Sequence, residues 1–297
     1  MPKLRLVLAA AFITLAAPAS AQDRILLTPE QLAGQMQDAK LVLLHISEKA
    51  SYDRAHIPGA RFVDYRAGLH ATGDLTLEML PADVLRDRLA ALGVSDDSRI
   101  VVYFADAWFT PATRVMLTLD YAGLGNVAML DGGMDAWKRA GNTVTADSVP
   151  PTAGTLAPLK LRPLVVDADA VQAAIGKSGV AVVDARTAGF YEGTQTGGRP
   201  GAQHKTGHIQ GARSVPFSAI ADEDGTMKAR ADLQRAFDAA GIQPGDTVIA
   251  YCHIGQQATG VIFAARLLGH KVALYDGSFE DWSRRGLPVE ASKAPGR

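Results

Sequence analysis

The chain contains a single cysteine, Cys252, and its neighbours are of the kind that let a thiol do chemistry. Thr247-Val248-Ile249-Ala250-Tyr251 reads as a buried strand, the cysteine falls at its carboxyl end, and helical periodicity resumes by about Thr259. Between them His253, Ile254, Gly255, Gln256 and Gln257 form a loop that can curl several backbone N–H groups toward the sulfur, reinforced by the dipole of the following helix. Such surroundings favour the thiolate, which is the nucleophile. A protonated His253 would act in the same direction. The competing reading is a small apolar core residue, as free cysteines often are. A strand-loop-helix junction containing Gly255 argues against it.

One cysteine also excludes a disulfide within the chain and any zinc site needing two thiolates. A phosphatase or arsenate reductase loop would carry an arginine six positions after the cysteine to hold a tetrahedral dianion bidentately, but that position is Ala258. His204 and His208 are four apart but straddle Gly207, and His56 and His208 belong to a repeated turn, so structural roles are expected and no metal. No cofactor is implied.

The elements that must position the cysteine occur twice. Ala55-His56-Ile57-Pro58-Gly59-Ala60-Arg61 returns as Gly207-His208-Ile209-Gln210-Gly211-Ala212-Arg213. Leu43 to Ser47 returns as Val182 to Arg186, the run Ile100 to Phe104 as Val248 to Cys252, and Asp131-Gly132-Gly133 with Trp137 as Asp276-Gly277-Ser278 with Trp282. The order is the same in both halves, which marks a duplicated domain. The offset between copies is 139 at Leu43 but 152 at Ala55, so 13 extra residues enter the second half within 192–205. That segment, with Arg199, Pro200, His204 and Lys205, reads as a surface loop with no packed element of its own.

Strands are expected at Leu41 to Ile46, Ile100 to Phe104, Val127 to Leu130, Val180 to Asp184, Thr247 to Tyr251 and Val272 to Tyr275. Helices are expected at Ala82 to Leu92, Thr113 to Ala122, Ala231 to Ala240 and Ala258 to Leu268. This alternation predicts an α/β fold: two tandem domains, each a mainly parallel sheet flanked by helices, with ligands at the carboxyl ends of the strands. The divisions are 1–21 as an export signal, 22–146 as the first domain, 147–162 as a proline-containing linker and 163–297 as the second domain.

These motifs together resemble the tandem-domain rhodaneses, the thiosulfate sulfurtransferases, over essentially the whole chain after residue 21. The resemblance implies that the second domain is catalytic, that Cys252 carries a persulfide taken from thiosulfate and passes it to cyanide or a thiol, and that the first domain has lost the nucleophile. Phe104 stands where Cys252 would be, and the first half is expected to supply packing and cleft walls. Asp184 and Arg186 would either help define the substrate pocket or brace the 253–257 loop as an ion pair. Trp108 lines the interdomain cleft or has a core or surface role.

The departures concern charge. Thiosulfate-specific members carry Arg and Lys directly after the cysteine, where this chain has His253 and Ile254, and a further substrate-binding arginine is here Phe190. The Gly-Ser-Gly-like loop of the mercaptopyruvate type is also absent. Gln256 and Gln257 can donate hydrogen bonds but add no charge. Arg199 and Lys205 either restore positive charge or lie in a solvated loop.

Composition narrows the partners. Lys plus Arg total 30 against 31 Asp plus Glu, so no global field favours nucleic acid or an anionic membrane. Apolar residues make up 47% of the chain, enough for ordinary cores. The first 21 residues combine Lys3 and Arg5, an apolar run from Leu6 to Pro18 and Ala19-Ser20-Ala21, the pattern of a cleaved export signal, with an uncleaved anchor as the alternative. The expected product is periplasmic or secreted, with a small-molecule sulfur donor and acceptor. A non-catalytic persulfide carrier serving a periplasmic acceptor protein is the alternative from another class.

Overall fold

A computed structural model describes residues 25–106, 108–148, 150–199 and 202–291. The expected export segment, 1–21, lies outside them. The first domain holds strands β1 (Leu26–Leu27), β2 (Leu41–Ser47), β3 (Arg61–Asp64), β4 (Arg99–Phe104) and β5 (Val127–Leu130). The second holds β6 (Val165–Val166), β7 (Val180–Asp184), β8 (Arg213–Ser214), β9 (Thr247–Tyr251) and β10 (Lys271–Tyr275). The spatial orders are β1-β5-β4-β2-β3 and β6-β10-β9-β7-β8, with every pairing within these sheets parallel. The two orders are the same order, as duplication requires.

The central strands are continuous runs of apolar residues because both faces of each sheet are covered. In β4, Ile100, Val102 and Phe104 point into one core while Val101 and Tyr103 point into another. In β9, Val248 and Ala250 share a face with Cys252, while Ile249 and Tyr251 turn to the opposite side. The period of two along the strand therefore decides which layer the thiol enters.

That layer lies between the domains. Helix α1 (Thr110–Tyr121), which follows β4, and helix α2 (Gln257–Leu268), which follows β9, pack against each other. Every residue from Thr110 to Asp120 is buried, which an amphipathic surface helix would not permit. One apolar core runs from Val42 and Leu44 in the first sheet through Val115 and Leu119 to Val261, Phe263 and Val248 in the second. The Thr113 and Thr259 hydroxyls meet across this seam at 2.8 Å.

The repeated Asp-Gly motifs seal the seam reciprocally. The Met227 N–H donates to Asp131 Oδ1 and the Met79 N–H donates to Asp276 Oδ2, both at 2.8 Å, so each motif accepts a backbone donor from the other half. The linker is irregular but docked: the Gly154 and Thr155 N–H groups donate to Ala90 O and Ser95 Oγ, and a Cβ at Gly154 would lie 2.2 Å from Val94 O.

Two expectations need amendment. The 192–205 segment is not an unstructured surface loop: Gly198–Arg199 and Ala202–Gln203 pair as a short antiparallel hairpin. The edge strands β1, β3, β6 and β8 were not foreseen, since none exceeds four residues. Among the described residues no helix is long and apolar enough to cross a membrane.

Candidate active site

Cys252 sits where β9 gives way to the loop that leads into α2, and it is 1% exposed. Its backbone is gripped from helix α3 (Ser278–Arg284). The Phe279 and Glu280 N–H groups donate to the carbonyls of Cys252 and His253, both at 3.0 Å, and the Cys252 N–H donates to Ser278 Oγ at 3.2 Å. Ser278 Oγ in turn donates to Tyr275 O at 2.9 Å. Ser278 has φ of +51°, a left-handed conformation costing an ordinary L-residue about 1 to 2 kcal/mol. Its counterpart in the first half is Gly133, also at positive φ, where a Cβ would lie 2.5 Å from Phe104 O.

With the loop carbonyls directed into the fold, the loop N–H groups are free. Among the described residues none of the N–H groups of His253, Ile254, Gly255, Gln256 and Gln257 donates to a carbonyl or a side chain. Gly255 has φ of +79°, and its carbonyl accepts from Arg114 Nη1 at 3.3 Å. The thiol, His253, Ile254, Gln256 and Gln257 open onto a cavity of about 370 Å³ whose other walls come from the first domain: Tyr65, Arg66, Thr76, Leu77 and Trp108. The thiol and half of the cavity lining thus belong to different domains. A larger cavity of about 720 Å³ lies at the opposite, amino-terminal ends of the strands, among Gln31, Gln35, Arg99, Asn126, Arg266 and His270, where no nucleophile reaches it.

Asp184 and Arg186 are not on the cavity wall. Both are buried, and Arg186 Nη2 reaches Asp184 Oδ2 at 2.6 Å and Gly207 O at 2.7 Å while its guanidinium lies 3.9 Å from the centroid of the Phe279 ring. Burial opposes the charge of Arg186, and the Asp184 carboxylate more than offsets it, raising the guanidinium pKa. The Tyr251 hydroxyl donates to Asp184 Oδ2 at 2.8 Å and accepts from the Ile209 N–H at 3.0 Å. In the first half Tyr103 accepts from the Ile57 N–H in the same way and meets His45 Nδ1 at 2.9 Å. The Asp-Arg pair of the second half is therefore replaced by His45 and Ser47 in the first.

His253 is neutral rather than protonated. Burial, then the charges of Arg186 and His204, push its pKa down to about 4. Its ring meets Phe190 edge-on with centroids 4.5 Å apart, and its Nδ1 lies 3.4 Å from His204 Nδ1. A Cβ at Gly197 would lie 2.5 Å from His253 Cε1. The insert therefore covers the loop that follows Cys252. Lys205 contributes no charge to the cavity: Nζ donates to Gly286 O and Leu287 O, both at 2.7 Å, beyond the end of α3. Gln256 Nε2 turns to Thr110 Oγ1 at 3.3 Å, whereas Gln257 lines the cavity with a buried Oε1 that has no partner among the described residues.

Arg114 was not singled out by the sequence. It projects from α1 with Nη1 2.6 Å from Asp276 Oδ1, and Nη2 donates to Leu77 O on the cavity wall. Ser278 and Arg66 were missed as well. The only advance signal for Ser278 was that a serine stands where the repeat has a glycine.

The rhodanese-like domain profile matches residues 28–140 and 167–285, one match to each half. The chain belongs to the rhodanese family. This rhodanese is 32% identical over 246 residues to a thiosulfate sulfurtransferase of Rattus norvegicus, covering 81% of both chains. It is 32% identical over 260 residues to a putative thiosulfate sulfurtransferase of Haloferax volcanii, covering 84% of this chain and 88% of the relative. Among solved structures it superposes on an anaerobic ergothioneine biosynthesis enzyme from Chlorobium limicola with a TM-score of 0.80 at 22% identity, covering 92% of this chain and 71% of the other. That likeness concerns the fold.

Proposed function

We propose that the protein is a sulfurtransferase that takes the outer sulfur of thiosulfate onto Cys252 and passes it to cyanide or a thiol. The observation that carries this reading is the opening of the lone thiol, at a strand carboxyl end, onto a cleft beside five loop N–H groups without a protein partner among the described residues. Fixed donors of that kind stabilise a thiolate and a terminal persulfide in a site with little water. In the first step the Cys252 thiolate attacks the sulfane sulfur, the sulfur–sulfur bond of thiosulfate breaks, and sulfite leaves with the electron pair, giving Cys252–S–S⁻. In the second, cyanide attacks the terminal sulfur, thiocyanate departs and the thiolate returns. Charge balances in both steps and no oxidant is needed.

The relatives named thiosulfate sulfurtransferases support the same donor. A cavity of about 370 Å³ falls within the range of small-molecule sites, which favours turnover of a small donor over a docking module for a partner protein. The proposed setting is outside the cytoplasmic membrane after removal of residues 1–21, where a protein thiol is a further acceptor. The test is the mass of the protein after thiosulfate, with and without cyanide. One added sulfur is expected, removed as thiocyanate, and Cys252→Ser should show neither; normal turnover by that variant would sink the assignment.

A further inference from the structure

We infer that Arg66, from the domain without a cysteine, is the residue that attracts the anionic sulfur donor, and that Glu48 tunes it. The inference rests on the proposed chemistry at Cys252 and goes beyond it by assigning the positive charge that the catalytic loop lacks.

Among the described side chains, the other cations near the thiol are already engaged. The loop supplies none, since Ile254 is apolar and His253 is neutral at pH 7. Arg186 is consumed by Asp184 and Gly207, behind the loop rather than on the cavity wall. Arg114 is consumed by Asp276, Gly255 and Leu77. Lys205 caps the chain at Gly286 and Leu287.

Arg66 differs from all of these. It lines the same cavity as Cys252, and its side chain is 68% exposed, so its charge is available to a ligand entering the cleft. Its direction is set locally: Nε donates to the Tyr65 hydroxyl at 2.6 Å, and the Tyr65 ring packs edge-on against Trp108 with centroids 4.7 Å apart. A second guanidinium nitrogen, Nη2, donates to Glu48 Oε1 at 2.8 Å, an oxygen that also accepts from the Tyr65 hydroxyl at 3.3 Å. That carboxylate is itself 60% exposed, so the pair is solvated and weak. An incoming dianion competes with Glu48 for the fork, which suits it to sulfonate-like oxygens.

The step affected is the first half-reaction, read as the second-order rate constant of Cys252 persulfide formation in single turnover. Arg66→Gln should lower it about tenfold at low salt, the size of one close charge-assisted hydrogen bond, and flatten its dependence on ionic strength. Arg66→Lys should keep most of the rate. Glu48→Gln should raise it about two- to threefold by releasing the guanidinium. Alkylation of Cys252 gives a readout that a merely structural role would not move: Arg66→Gln should slow anionic iodoacetate and leave neutral iodoacetamide unchanged. Equal slowing of both reagents, or an unaltered salt dependence, overturns the role of Arg66. If native protein loads with sulfur and Arg66→Gln loads equally fast, Arg66 alone is wrong. If native Cys252 takes no sulfur from thiosulfate, the proposed function falls and the donor-binding role with it.

Discussion

Arg114 and Asp276 meet at 2.6 Å across the domain seam, side chains 3% and 6% exposed, and the same guanidinium donates to Gly255 of the cysteine loop. The domain with Phe104 at the matching position thus holds the loop of the domain that carries Cys252. A buried pair gains little over apolar residues of the same shape, but removing one partner leaves the other charge buried and alone. Arg114→Met should therefore destabilise the protein by about 3 to 5 kcal/mol, whereas Arg114→Met with Asp276→Leu should recover part of that. Denaturant unfolding of the two variants checks this. A double variant no better than the single one would mean that the loss arises from Gly255 and Leu77, not from the stranded carboxylate.

Ser278 offers a sharper separation of strain from function. Glycine there removes the left-handed strain of about 1 to 2 kcal/mol but loses the hydroxyl that accepts the Cys252 N–H. Alanine keeps the strain and loses the same bond. Ser278→Gly should be more stable than Ser278→Ala by about 1 kcal/mol, and both should slow persulfide formation about tenfold as the cysteine backbone loosens. Full activity in both would show that the α3 N–H groups alone fix the loop.

How much of this was legible in the sequence depended on how local the cause was. The strand ending at Cys252, the paired Asp-Gly turns and α2 follow from periodicity and repetition, and all appear where expected. Arg114 carried no signal in the sequence, because two of its partners lie 141 and 162 positions away. The hairpin near 198–203 was read as loop because two-residue strands carry no period, and its covering of His253 depends on Gly197 and His204 packing against a ring 49 or more positions downstream. Asp184 and Arg186 were visible as a pair, but only burial shows that Gly207 and Phe279 occupy the guanidinium.

Stability should depend on pH in two opposite ways. His253 is depressed to about 4, below its ordinary value of 6.5. Between those values the unfolded chain binds a proton that the folded one refuses, so stability falls as pH drops from 6.5 toward 4, by on the order of 3 kcal/mol. Glu78, with a buried Oε1 that has no partner among the described residues, is raised to about 7 by burial and then by Asp276. There the folded state holds the extra proton, so stability falls as pH rises from 4.5 through 7. Glu78→Gln should leave stability at pH 4 unchanged and raise it at pH 8 by about 1 to 2 kcal/mol, after allowance for solvent screening. Thermal unfolding from pH 4 to 8 measures both. A Glu78→Gln curve parallel to the native one would show that folding leaves the carboxyl at its ordinary value.

The two loop positions at which the family resemblance leads one to expect cations, His253 and Ile254, should respond differently to introducing them. Ile254 lies on the cavity wall, so a lysine there can extend its stem over apolar surface and place its ammonium in the cleft. His253 also borders the cavity, but its ring is wedged between Phe190 and Gly197, where a Cβ would lie 2.5 Å from its Cε1. A longer arginine at that position overpacks the insert and should cost about 1 to 3 kcal/mol. Ile254→Lys should speed persulfide formation from thiosulfate several-fold at low salt, with the gain shrinking as salt screens the charge. It should also rescue Arg66→Gln, because either cation can hold the donor near the thiolate. His253→Arg should lower the melting temperature without a comparable gain in rate. A rate unchanged by Ile254→Lys in both backgrounds would mean that the loop N–H groups hold the donor without help from a side-chain charge.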